Sequence, residues 1–263
     1  MHACYFGSPD RRLFGIFEEP EDGAAREAGV VLCYPYGADY ATAFRTFRIL
    51  ATRLAKAGFH VLRFDYLGTG DSSGDADVAS IEQWITDVGT AVRELRDSRG
   101  LRDVSLVGLR LGATLAALAA ARTKDVERVV LWEPVVDGQE YLAALQALHR
   151  EWLQEALRDG RNAQHLEDDL LGYQLTERLR RDFVDLRLQS LAGAPAPSLY
   201  LMSKGSSDEY DCLVAMLRQQ GARVDADRVE GPEIWSRTPS MDESSVPTGA
   251  LRSIVTWLTS ASG

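Results

Sequence analysis

Cysteine is scarce. Cys4, Cys33 and Cys212 are the only three in 263 residues, and no C-x-x-C pair occurs. An odd count without paired spacing gives neither a disulfide framework nor a thiolate metal site. Histidine is nearly as rare, with four in the chain, and no H-E-x-x-H spacing appears, so no zinc site and no cofactor is expected. Lysine occurs only at 56, 124 and 204, while arginine is common. No run of about 18 apolar residues exists, which excludes a membrane-spanning helix. The first residues lack a basic start followed by an apolar run, so no signal peptide is expected and a cytoplasmic location is the default. Positive charge is in deficit as well. The net charge of −10 disfavours nucleic acid and anionic lipid as partners.

What is present is a globular composition, 45% hydrophobic and 26% charged, long enough for one α/β domain with an insertion. Residues 3–7 and 11–18 read as a hairpin around Ser8-Pro9-Asp10. Apolar runs at 29–34, 59–64, 104–107 and 129–132 read as strands. Between them, 43–57, 81–95 and 111–122 carry helical spacing. This alternation predicts a mostly parallel, eight-stranded sheet with helices on both faces. From about 137 to 190 the pattern turns helical, at 141–157, 166–173 and 176–188. The sheet resumes at 198–202 and 222–229, with helices at 213–220 and 246–258. The division is therefore a core, 1–136 and 191–263, and a helical cap, 137–190.

The stretch "GLRLGA", 108–113, has the layout of a nucleophile elbow: strand, tight glycine turn, helix. That motif reads G-x-S-x-G, with the nucleophile in the middle. Here the middle residue is Arg110. A guanidinium stays protonated and cannot attack at neutral pH. A second match, "GDSSG" at 70–74, centres on Ser72, but it follows a strand and opens no helix. Cys33 ends an apolar strand and reads as a small buried residue.

The ordered pieces "VVLCYPYG" (30–37), "RFDYLGTGDSSG" (63–74), "LVGLRLGA" (106–113) and "SKGSSDEYD" (203–211) resemble the α/β-hydrolase superfamily, near its serine aminopeptidase-like branch. With "WEPVVDGQEYL" (132–142) and "GPEIW" (231–235), the elbow resembles a narrower group, the exosortase A system-associated hydrolases of bacteria, encoded beside exopolysaccharide genes. The resemblance implies an α/β-hydrolase fold with a helical cap. It implies a triad in the order serine, acid, histidine. The acid position fits Asp208, with Glu209 and Asp211 beside it. The histidine is due near "VEGPEIWSR", where Ile234 and Trp235 stand instead. Two roles of three are then missing. His149 and His165 lie in the cap and read as surface or packing residues. His60 starts a strand at the far end of the sheet.

Ligands of open α/β sheets bind at the carboxyl ends of the strands, where the elbow projects its central residue. A charge there needs partners, and the candidates are Asp39, Glu133, Asp208 and Glu233. Two readings stay open. Arg110 forms an internal ion pair with Asp208 or Glu133, or it clamps a carboxylate, phosphate or carbonyl of a ligand. The backbone N–H groups of Leu111 and Tyr36 are the expected oxyanion donors. Trp132, Tyr34, Tyr36 and Trp235 are candidate pocket walls. Tyr141, Leu145, Leu148, Trp152 and Tyr173 read as packing of the cap. Three functions follow: binding of an acyl or carbonyl-containing small molecule with non-hydrolytic chemistry at Arg110 and Asp208; ester, thioester or amide hydrolysis by relocated residues; or a non-catalytic accessory protein with a partner in a biosynthetic assembly.

Overall fold

The computed structural model describes residues 1–21, 25–158, 169–205, 207–229 and 246–260. Eight strands make one sheet in the order β1-β2-β4-β3-β5-β6-β9-β10. They are β1 (His2–Ser8), β2 (Arg11–Glu18), β3 (Ala28–Cys33), β4 (His60–Phe64), β5 (Asp103–Leu109), β6 (Arg128–Trp132), β9 (Ser198–Ser203) and β10 (Arg223–Arg228). The β1–β2 and β2–β4 pairings are antiparallel, and every other pairing is parallel. The central strands are apolar on both faces because both faces are covered. Val104, Leu106, Val107 and Leu109 of β5 are fully buried.

The connecting helices are α1 (Ala38–Lys56), α2 (Ile81–Arg99), α3 (Leu111–Thr123), α6 (Asp208–Gln219) and α7 (Thr248–Ser260). The chain steps from β3 to β4 in one direction and from β4 to β5 in the other. Right-handed crossovers then put α1 and α2 on opposite faces. Their neighbours agree: α1 touches α7, and α2 packs on α3. The reversal leaves a crevice between the carboxyl ends of β3 and β5, the place where such sheets hold ligands. The loop after β3 leads to Asp39, and the turn after β5 is Arg110.

Between β6 and β9 the chain forms α4 (Gly138–Arg158), a two-stranded hairpin of β7 (Asp169–Leu170) and β8 (Tyr173–Gln174), and α5 (Glu177–Asp185). The two ends of this excursion are stapled together. The Gly138 N–H donates to the Leu186 carbonyl at 2.9 Å, the Leu188 N–H to the Val136 carbonyl at 2.8 Å, and Asp137 pairs with Arg187 at 3.0 Å. Closing both ends on one point lets the insertion fold without disturbing the sheet order.

Two elements differ from the sequence pattern. The helix predicted over 166–173 is replaced, from 169 onward, by the β7–β8 hairpin; 166–168 lie outside the described residues. Leu171 (φ 53°) and Gly172 (φ 83°) are both left-handed. Two such residues make a hairpin turn and break a helix. The helix expected from Leu213 starts five residues earlier, at Asp208. Ser207 caps it by accepting the Tyr210 N–H at 3.2 Å, and three acidic residues follow in the first turn, where the helix dipole favours them. No described helix is long and apolar enough to cross a membrane.

Candidate functional site

The elbow is built by two glycines. A Cβ on Gly112 would collide with the carbonyl oxygens of Cys33 and Tyr34, so α3 can seat against β3 only without one. A Cβ on Gly108 would strike Gly112 and Ala113, across the same turn. Between them Arg110 sits at φ 53° and ψ −123°. Such backbone costs an L-residue on the order of 1–3 kcal/mol and persists only when its surroundings impose it. They do so here through the Arg110 N–H, which donates to the Trp132 carbonyl at 2.9 Å, and through the Arg110 carbonyl, which accepts from Ala113 at 3.0 Å. One strand over, Glu133 stands at φ 48° directly after β6, its N–H bonded to the Met202 carbonyl at 2.8 Å.

Arg110 Nε lies 3.8 Å from Asp39 Oδ2, and its guanidinium carbon is 5.2 Å from the centre of the Tyr141 ring. Tyr141, near the start of α4, donates from its hydroxyl to the same Asp39 oxygen at 2.9 Å. Asp39 thus comes from the first turn of α1, Arg110 from the elbow and Tyr141 from above. Asp39 is 2% exposed and the Arg110 side chain 21%. Burial pushes the Asp39 carboxyl up to about 6, against the opposing pull of Arg110 and of the Tyr141 hydrogen bond. No hydrogen bond reaches Asp39 Oδ1 among the described residues.

Glu133 is used differently. It is buried, accepts the Lys204 N–H through Oε1 and the Tyr210 hydroxyl through Oε2, at 3.1 Å for the latter. It braces the ends of β6 and β9 to α6. Asp208 stands exposed in the first turn of α6 and makes no ion pair among the described residues. The ion pair expected with Asp208 or Glu133 is therefore replaced, in the described geometry, by one with Asp39. Glu209, next to Asp208, is half-buried; burial and the nearby Glu140 and Asp137 charges raise its carboxyl, and Arg110 lowers it.

Leu111 is the first residue of α3, so its N–H has no acceptor inside the helix. The Tyr36 side chain is a tie rather than a free wall. Its hydroxyl donates to the Gln174 carbonyl at 3.0 Å, and its ring packs near Trp84, Tyr173 and Phe183. Tyr34 is buried beneath, stacked on Phe47 and reached by Arg63 at 3.2 Å. Trp132 is buried at the end of β6. Trp235, Glu233, Ile234 and His165 lie outside the described residues.

Ser72 is buried, and its hydroxyl donates to the Asp65 carbonyl at 2.6 Å while accepting the Phe14 N–H at 2.9 Å. It locks a loop to β2. Cys33 is fully buried, and burial raises its thiol far above the usual range. His60 meets Glu19 at 2.8 Å. His149 is buried in α4, stacked on Trp152, with Nδ1 accepting the Leu171 N–H at 3.1 Å. No cluster of three or more metal-ligating side chains occurs among the described residues.

Tyr141 packs as its spacing predicts, against Phe183, and adds the hydroxyl bond to Asp39; the contacts of Tyr210 and Lys204 with Glu133 have no counterpart in the sequence pattern. A signal existed for Tyr141: a buried tyrosine hydroxyl needs a partner, and the acids named for Arg110 were the obvious ones.

Comparison with known proteins now decides the family. Residues 28–181 match the family described as serine aminopeptidase, S33. The chain belongs to that family. That stretch covers β3 through most of α5, including the elbow and Asp39. Among solved structures the chain is similar to the Pyrococcus furiosus esterase Pf2001, with a TM-score of 0.71 at 16% identity over 100% of this chain and 91% of that one. It is similar to the enol-lactonase of Burkholderia xenovorans LB400, with 0.61 at 19% identity over 97% and 100%. It is also similar to Est1E of Butyrivibrio proteoclasticus, a structure with ferulic acid bound, with 0.60 at 14% identity over 98% and 97%. These likenesses show the α/β-hydrolase fold. No curated protein matches the chain significantly.

Proposed function

We propose that this member of the serine aminopeptidase family lacks the serine–histidine pair, binds an acyl or other carbonyl-containing small molecule in the cleft at Arg110, and does not hydrolyse it through a serine triad. One observation carries the reading: a permanently protonated residue occupies the strained elbow, held between Asp39 and Tyr141. A guanidinium in a mostly dry cleft suits a carbonyl, carboxylate or phosphate oxygen. The Leu111 N–H at the start of α3 adds to the same preference for negative charge. In this reading residues 137–190 act as a cap, Tyr36, Asp39, Leu111, Glu133 and Trp235 surround the ligand, and Asp208 keeps the place of the acid without its histidine. Location in the cytoplasm, and kinship with the exosortase A system-associated group and its biosynthetic setting, belong to the same proposal. They rest on the motifs at 108–113, 132–142 and 231–235.

The competing reading, hydrolysis by relocated residues, is disfavoured at Ser72. Both hydrogen-bonding directions of that hydroxyl already serve the backbone. A series of p-nitrophenyl esters from acetate to octanoate separates the two. Turnover by the wild type is expected to stay within about threefold of the buffer rate, and Arg110→Ser is expected not to restore it. Ester turnover well above the buffer rate that Ser72→Ala or His149→Ala removes would replace the proposal with the hydrolytic one.

A further inference from the structure

We propose that the cleft abstracts a proton from the carbon α to a ligand carbonyl, with Asp39 as the base, Arg110 as the holder of the enolate oxygen and Tyr141 as the positioning residue. The inference rests on the preceding reading that a carbonyl compound binds at Arg110, and it names the reaction class.

Three features of the geometry carry it. First, base and cation come from the first turn of α1, after β3, and from the elbow after β5, on the two sides of the crevice, with 3.8 Å between Asp39 Oδ2 and Arg110 Nε. A carbonyl oxygen on the guanidinium brings the neighbouring C–H beside the carboxylate, since only one carbon separates them. Second, the two oxygens of Asp39 differ. Oδ2 faces Arg110 and takes the Tyr141 hydroxyl, whereas Oδ1 accepts nothing among the described residues. Tyr141 holds the carboxylate by one oxygen and leaves the other to meet a proton. Third, Asp39 is almost fully buried while the Arg110 side chain beside it is partly exposed. Bulk water is thus largely kept from the base, and of the two groups the cation is the more accessible to a ligand oxygen. The other acids of the cleft do not share this arrangement. Both oxygens of Glu133 accept hydrogen bonds from Lys204 and Tyr210, and Asp208 is exposed.

The step balances without a co-reactant. The C–H bond breaks and its proton passes to Oδ1. The electron pair forms the C=C bond, and the carbonyl π pair moves to oxygen as an enolate, where Arg110 stabilises the charge. Exchange of the Asp39 proton with solvent, followed by its return to the same carbon, completes hydrogen exchange; direct return to a neighbouring carbon completes isomerisation. A base is most effective when its pKa lies near the working pH, and burial brings Asp39 up to about 6. The groups facing Asp39 are Arg110 from the elbow and Tyr141 from α4. Arg110 in turn acts on Glu209 and Tyr210 of α6. Tyr40, on the same helix as Asp39, bonds to Asp65 instead, at 3.1 Å.

The test follows α-proton loss from 2-butanone and 2-oxobutanoate in D2O by proton NMR, with saturation-transfer contact to the protein read in the same samples. The wild type is expected to exchange at least one probe tenfold or more above buffer, with a rate that rises with pH through about 6. Asp39→Asn is expected to fall to the buffer rate. Tyr141→Phe removes a hydrogen bond to the carboxylate, so its rising limb is expected at higher pH. Contact that Arg110→Gln abolishes, without exchange in the wild type, overturns this inference and leaves the binding reading intact. Neither contact nor exchange overturns both. Should Asp39→Asn fail to fold, a wild-type exchange rate that is flat between pH 5 and 8 overturns the inference alone.

Discussion

Two loops of this protein carry a glycine–x–residue–x–glycine pattern, 108–112 and 70–74, and they do opposite work. In the first, packing of α3 onto the end of β3 forces the central residue into left-handed backbone and aims a charge at the crevice. In the second, the central Ser72 turns inward and bonds Asp65 and Phe14. The pattern that carries serine is a loop lock, and the pattern that carries arginine stands in the strand–turn–helix setting at the carboxyl end of the sheet. What distinguishes them is the strand–turn–helix setting, because only a helix starting directly after the turn puts backbone donors and a strained residue at the mouth of the sheet.

That contrast can be broken in several ways. The largest effect is expected at Gly112→Val. Its Cβ meets backbone carbonyls that cannot swing aside. A loss of about 3 kcal/mol or more is expected, at the upper end of overpacking costs, measured as a urea midpoint or as failure to purify a folded protein. Ser72→Ala comes next. It removes one buried and one partly buried hydrogen bond and leaves the Phe14 N–H without its acceptor. A cost of about 1–3 kcal/mol is expected, with ligand contact at Arg110 unchanged; a change in contact with intact stability would reverse the roles assigned to the two loops.

A smaller, pH-dependent effect sharpens the electrostatic side. Asp39 and Asp87 are both pushed up to about 6, mainly by burial, from a reference of 3.8. A raised folded-state value means the folded form holds its proton longer. The stabilising contribution is complete below about pH 4 and is lost as pH rises through 6. For Asp39 the loss is up to about 3 kcal/mol, at 1.36 kcal/mol per unit. Urea titrations at pH 4.5 and 7.5 are expected to show the wild type losing more stability than Asp39→Asn over that interval. Equal losses would place the Asp39 carboxyl near its ordinary value. The smallest effect is expected at Arg110→Gly. Relief of the left-handed backbone opposes loss of the Asp39 and Tyr141 contacts, so net stability is expected to change by about 1 kcal/mol or less, while saturation-transfer contact with carbonyl probes disappears.

Much of the frame was legible in the sequence. Apolar runs at 29–34, 104–107 and 129–132 announced buried strands because a parallel strand covered on both faces has no polar side to show. The 169–174 hairpin reads as helix in the sequence because Leu170 and Leu171 also satisfy helical spacing, and only the left-handed pair 171–172 reveals the turn. Arg110 and Asp39 were both visible as candidates, yet their pairing was not. They are 71 positions apart, and the resemblance pointed first to Asp208 as the acid.

The amino-acid order determined the alternation of strands and helices, the glycines that permit the elbow, and the presence of a cation where a hydroxyl is usual. Those are local properties, set by periodicity and by which side chains a tight turn admits. Which acid meets that cation was decided only by the tertiary structure. The reversal of strand order brings the ends of β3 and β5 together, and the inserted helix lowers Tyr141 onto the pair. Proximity between residues on different elements is a product of chain topology, and burial, which raises the Asp39 carboxyl, exists only once the layers have closed.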